Sequence, residues 1–393
     1  MKYIICTSLI RKIKGKNNVY LGFWALPNNE FLSYKNKKIH KFLWADKSKF
    51  LKDSLYIKKI CLKLCRILFL SLNKTHQSKF SIKFWKILLH PWLYYYISSL
   101  YFRWNCIKKI KMNNCFIFEK NLEQNKNNYL EDHLLFVNDH WNQKIFQEII
   151  LIQKKKYIYQ KKLNNQKYSF QKNICYKKFF FLLPNSLFSL CNYLISLLKI
   201  NKVLFIDTCY SRNSNFFTFK KYKLNHYLSY FLKKLNPLFV YSGNSDLYLK
   251  KKFKILFSDY FISQSKFEIF LQKKISEDLP NYLLEDFNNY LNRYIKINDS
   301  KIIITAYDLF SKFPNKFYIA EQVNKGAKLF LLEHGGSLRP KKVWLDLDLN
   351  FVDKKITWDK PINSKEFQIP THPFYFNKLF TITIKFWISI NYN

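Results

Sequence analysis

The sequence predicts an α/β fold of Rossmann-like parallel strands, and three observations predict it. Short apolar runs of the buried parallel-strand type recur after residue 200: Lys202 to Asp207, Pro237-Leu238-Phe239-Val240-Tyr241, Lys301-Ile302-Ile303-Ile304-Thr305 and Ala327 to Leu332. Stretches with apolar residues three and four apart lie between them, which is helical spacing. The last run breaks into Glu333-His334-Gly335-Gly336, in a chain with only 6 Gly among 393 residues. Adjacent glycines let the backbone turn sharply and approach a ligand closely.

Taken in order, residues 1–30 read as a strand, a Lys-rich turn and a second strand, Val19 to Leu26, stopped by Pro27. The short apolar stretch Met1 to Ile10 has no small-residue cleavage site, so it reads as the first strand rather than a leader. From Trp44 to Trp104 the pattern is helical, apolar positions such as Leu55, Ile60, Leu64, Ile67 and Leu68 recurring at three and four. Lys108 to Asn128 is polar, Tyr129 to Gln153 returns to helical spacing, and Lys154 to Lys177 is a weakly patterned linker. Phe253 to Leu271, Leu279 to Ile297 and Phe317 to Asn324 read as helices, and Lys354 to Trp358 as a last strand. Lys301–Thr305, the helix Phe317–Asn324 and Ala327–Leu332 form a βαβ unit with a right-handed crossover expected. Four regions follow: strands plus a helical region in 1–150, a linker with an apolar segment in 151–200, a Rossmann-like region in 201–350, and a short final segment, 351–393.

Composition excludes disorder, since 48% of residues are hydrophobic and 19% aromatic. The formal charge of +41 suggests a nucleic-acid binder, but it comes from 61 lysines against six arginines. Base-reading surfaces favour the bidentate fork of Arg. Abundant Lys, Asn, Ile, Phe and Tyr with scarce Gly, Ala, Pro and Arg is what an AT-rich genome gives. Attraction to phosphates, in nucleic acid or on an anionic membrane, is the alternative source of that charge. Eight cysteines contain no C-x-x-C pair, which fits a reduced cytosolic compartment and no metal site; Cys61 and Cys65 read as buried small residues. Phe179 to Leu198 carries no charge over about the length of a bilayer core. Its Pro184, Asn185 and four other polar residues fit buried or interfacial helices better than a span, and the flanking lysines allow peripheral membrane contact.

Two groups of residues carry candidate chemistry. His334 follows a strand's carboxyl end, where open α/β sheets place ligands, and its imidazole titrates near neutral pH. A tight turn with a hydrogen-bonded histidine explains the same residues. The second group is His76, Trp92 and Arg103 around the Trp-rich stretch Trp85 to Trp92. Its aromatic faces suit a sugar or a base, and core packing with Pro91 kinking a helix is the alternative.

The order of these residues resembles a family of transferases from bacterial O-antigen and surface-polysaccharide gene clusters. The matching segments are Tyr20-Leu21-Gly22-Phe23-Trp24, Trp44 with Asp46, Leu72-Asn73 with His76, Trp85 through Trp92-Leu93, Arg103, and Asp139 with Trp141-Asn142. Leu279-Pro280 with Tyr282 and Glu285, Ala320-Glu321, Lys325-Gly326, His334-Gly335-Gly336 and Asp353 with Ile356-Thr357-Trp358 complete the series. His90 stands where the family has glycine, Glu333 where it has glutamine, and Asp359 where glycine follows the Trp.

The resemblance implies a GT-B-like glycosyltransferase, with two Rossmann-type domains facing across a cleft and a helical insertion in the first. His334 becomes the candidate general base, and Gly335 and Gly336 leave room for substrate. Arg339, chosen for proximity alone, would neutralise nearby charge, while His76, Trp92 and Arg103 become candidate substrate-binding residues. The expected partners are a nucleotide-sugar donor, used as substrate with no separate cofactor, and a glycan or lipid-linked glycan acceptor. In this reading 1–150 belongs to the acceptor-side domain and 351–393 is the stub of a donor domain that is largely absent, because about forty residues cannot form a Rossmann domain. A truncated or split member, inactive without a separate donor-domain chain, is the resulting expectation. The location expected is cytoplasmic, peripheral to the inner membrane face. A basic nucleic-acid-binding protein without catalysis is the competing reading.

Overall fold

The described strands form two separate sheets, both wholly parallel, and the first joins strands from either side of the helical region. The computed structural model describes residues 2–10, 17–26, 38–110, 114–118, 138–160, 203–206, 246–292, 300–306, 309, 313–332, 350–357, 360–361 and 364–368. The Phe179–Leu198 segment, the run Pro237–Tyr241 and His334 through Arg339 lie outside them.

The first sheet contains β1 (Lys2–Ile5), β2 (Asn17–Tyr20), β3 (Asn114–Phe118) and β4 (Tyr157–Gln160) in the order β2-β1-β3-β4. Strand β1 is central, with Ile4 and Ile5 buried on its two faces, while β4 is an exposed edge. The second sheet contains β5 (Val203–Ile206), β6 (Ile302–Thr305), β7 (Lys328–Leu332), β8 (Lys354–Thr357) and β9 (Glu366–Gln368) in that order. The expected βαβ unit around β6 and β7 is present, and β8, expected as the last strand, pairs in parallel with β7.

Seven α-helices occur among the described residues. Two long ones, α1 (Lys47–His76) and α2 (Ile82–Lys108), fill the predicted helical region. Helix α3 (Asp139–Ile152) connects β3 to β4; α4 (Leu247–Tyr260), α5 (Lys266–Asp278) and α6 (Phe287–Asn292) precede β6, and α7 (Phe313–Asn324) leads into β7. The chain divides into two units, residues 1–64, 92–174 and 257–280, and residues 65–91, 175–256 and 281–393. No described helix is long and apolar enough to cross a membrane.

Several residues of the ordered series are fold devices. Asp46 caps α1, its Oδ1 accepting from the backbone N–H groups of Ser48 and Lys49 at 2.9 and 3.1 Å. Asn73 closes the turn into α2, accepting from the Trp85 indole at 2.9 Å and donating to the Phe80 carbonyl at 2.9 Å. Lys325-Gly326 ends α7, where φ of +104° at Gly326 suits glycine and its N–H bonds back to the Val323 carbonyl. Asp353 fixes the start of β8 by accepting from the Leu329 N–H at 2.8 Å and from Lys83 at 2.7 Å.

Candidate functional site

Strand order locates a crevice. In the first sheet the chain moves from β1 to β2 on one side and then to β3 on the other, so the order reverses between β1 and β3. Open α/β sheets bind ligands outside the carboxyl ends of their strands at such a switch point. Cys6, Thr7 and Ser8 follow β1 directly, and the first turn of α3 meets them there.

That meeting is polar. The Thr7 hydroxyl donates to Gln143 at 2.7 Å in a buried contact, and Gln143 in turn reaches the carbonyl of Phe116 on β3. The Ser8 hydroxyl donates to the Asp139 carboxylate, and both residues stay half-buried rather than sealed. Asn138 caps α3 through a bond from the Trp141 N–H at 2.9 Å, which holds Asp139 in the first turn. Burial raises the Asp139 pKa above the usual aspartate range; the Ser8 bond, His140 and Arg103 oppose that only in part.

Arg103 supplies the cation. Its guanidinium donates to the Ser99 carbonyl at 2.8 Å and to Asn142 Oδ1, and lies 5.3 Å from the Trp141 ring and 5.9 Å from the Phe146 ring. Desolvation lowers its pKa to about 10, which leaves it charged at neutral pH. Behind it, Asp278 accepts from Tyr96 at 2.8 Å and from the Trp141 indole at 3.3 Å. Fully buried Lys274 pairs with Glu277, Glu148 and Asp278 at 2.7, 3.3 and 3.7 Å. Burial alone would depress the Lys274 pKa, but the three carboxylates outweigh it and hold it above the usual lysine range.

Aromatic rings line the same edge. Gly22 follows β2, and a Cβ there would stand 2.2 Å from the Trp24 ring, so glycine lets the indole lie flat over the backbone. The Trp24 indole N–H donates to the Cys6 carbonyl at 3.1 Å. Phe102, beside Arg103, packs against Trp44 at 4.9 Å, Phe42 at 5.4 Å and Trp24 at 5.6 Å between centroids. Phe23 and Phe42 expose about half their surface, 48% and 51%.

Only Arg103 of the sequence-derived candidates belongs to this cluster. Trp92 is fully buried in the same unit, stacked on Tyr96 at 4.8 Å. His76 belongs to the second unit, stacked on Phe287 at 4.3 Å, with Nε2 2.9 Å from the Leu283 carbonyl. Burial lowers its pKa below the ordinary histidine value, with the Leu283 carbonyl opposing. His334, Gly335, Gly336 and Arg339 fall outside the described residues. Sequence reasoning missed Ser8 and Asp139 as site residues. Asp139 and Asn142 were visible in the ordered series, but nothing in the sequence joined them to Arg103 or to the end of β1.

Residues 2–379 match the LIC12162 family transferase profile. The chain belongs to that transferase family. No curated protein and no solved structure matches it. For this transferase the match covers both sheets, so the cluster at the β1–β3 switch point and the segment after β7 lie inside one family-wide region.

Proposed function

We propose that this transferase moves a sugar from a nucleotide-sugar donor to a glycan or lipid-linked glycan acceptor in surface-polysaccharide (O-antigen) assembly, within a GT-B-like architecture. One observation carries the reading: Gly22 and Trp24, Arg103, Asp139 and Asn142, from three distant segments of the ordered series, converge at the carboxyl edge of a parallel sheet where its strand order reverses. Flat aromatic faces beside a carboxylate, a hydroxyl and a guanidinium are what a pyranose ring with equatorial hydroxyls requires. This edge takes the acceptor in the proposal.

In the transfer, an acceptor hydroxyl attacks the anomeric carbon. A new C–O bond forms as the bond to the phosphate oxygen breaks, and the nucleoside diphosphate leaves with the electron pair. The hydroxyl proton goes to a general base. The resemblance nominates His334 for that role, with Gly335, Gly336 and Arg339 toward the phosphates. Asp139 holds the acceptor hydroxyl in position through the pair it forms with Ser8.

Nucleoside diphosphate release from a panel of UDP-, GDP-, dTDP- and CDP-linked sugars, with a membrane glycan extract as acceptor, tests the reading. Release that requires the extract is expected with one donor. His334→Ala should lower kcat by about 10²–10⁴ with KM little changed. Asp139→Asn should chiefly raise the acceptor KM. Absence of extract-dependent release with every donor sinks the proposal, and full turnover in His334→Ala removes His334 from the mechanism.

A further inference from the structure

Helix α4 carries an exposed face that the sugar-transfer reading does not use. Leu247, Tyr248 and Ile255 are 72%, 75% and 54% exposed, which is unusual for large apolar side chains on one regular helix. Lys251 and Lys254 are exposed on the same helix. At 3.6 residues per turn these five side chains fall within an arc of roughly 120°. The opposite side buries Phe253 completely. The neighbouring lysines turn inward, Lys250 pairing with Glu285 at 2.6 Å and Lys252 donating to the Thr75 carbonyl at 3.1 Å. The helix therefore presents two separate faces, one packed and one outward with lysines between apolar residues and the exposed Asp259 at its border in the last turn.

We propose that this outer face of α4 docks on an anionic lipid bilayer. Leu247 and Ile255 would enter the acyl boundary, Tyr248 would sit at headgroup depth, and Lys251 and Lys254 would reach lipid phosphates along their aliphatic stems. Charge complementarity selects this occupant. The chain carries +41, so a negatively charged surface draws it in, and a phosphate-bearing interface satisfies both residue types on the face. A nucleic acid would use the lysines and leave Leu247, Tyr248 and Ile255 in water.

Co-sedimentation of the full chain with vesicles decides the matter and needs no turnover assay. Binding is expected with phosphatidylglycerol-containing vesicles, weakly or not at all with pure phosphatidylcholine, and should fall as salt rises. Lys251→Glu with Lys254→Glu should cut partitioning by roughly tenfold or more, on the order of 1 kcal/mol per lysine. The triple variant Leu247→Ser, Tyr248→Ser, Ile255→Ser should cut it by a similar factor, with an unchanged circular dichroism spectrum confirming the fold. Equal binding to both vesicle types, or no binding to either, overturns the proposal. So does loss in the lysine variant alone, which would identify a general polyanion surface such as nucleic acid.

Discussion

The two parallel sheets differ in strand order, and only the first offers a switch point among its described strands. The first reverses between β1 and β3; the second runs from β5 to β9 without a reversal among its described strands. Individual buried ionisable groups also respond to burial in different ways. In the first unit, Arg103 and Lys274 stay charged because carbonyls, carboxylates and ring faces meet them. In the second unit, His90 is almost fully buried beside the Phe351 ring at 5.4 Å, and desolvation lowers its pKa to about 4. Burial lowers the His76 pKa as well. Charge retained inside a protein needs dedicated partners, and the pair Lys250–Glu285 meets the same requirement in the second unit.

The contrast is breakable by substitution. The largest effect is expected for Lys274→Ala, which leaves Glu148, Glu277 and Asp278 facing one another without their common cation. Denaturant unfolding should register a loss of about 3–5 kcal/mol. A loss under about 1 kcal/mol would mean that the network behaves like a screened surface pair.

Acid sharpens the other side. The folded-state pKa of His90 lies below its unfolded value, so the unfolded chain takes up the proton first. Its contribution is complete above the ordinary value of 6.5 and is lost as pH falls toward about 4. The full loss is on the order of 3 kcal/mol. His90→Leu should flatten stability against pH across that window, and an unaltered slope would assign the dependence elsewhere.

A smaller change is expected for Arg103→Lys. The charge survives, but the planar fork toward Ser99 and Asn142 and the stacking on Trp141 and Phe146 do not. About 1–2 kcal/mol should be lost, with the pH dependence below 6.5 unchanged. A variant as stable as the parent would show that charge alone matters at this position.

Much of the second sheet was legible because its strands are continuous apolar runs, and burial on both faces writes that signal directly into Ile302–Thr305 and Leu329–Leu332. The long helices were legible as a region but not as a pair, because the turn between them depends on Asn73 bonding to Trp85 and Phe80. Strands β3 and β4 were not legible. Asn114–Phe118 lies beside polar sequence, and Tyr157–Gln160 is an exposed edge whose side chains face water.

By itself the sequence determined that the chain is α/β with parallel strands, that its charge comes from lysine, and that its residues follow the order of a transferase family. Those properties reside in local apolar runs, composition and residue order. Only the tertiary structure decided that the strands form two sheets, that the first reverses at β1, and that Ser8, Arg103, Asp139 and Asn142 meet there. The physical reason is that a parallel ladder pairs strands more than a hundred residues apart, as Tyr3 and Asn114 do, so the crevice is a property of pairing that no local stretch encodes.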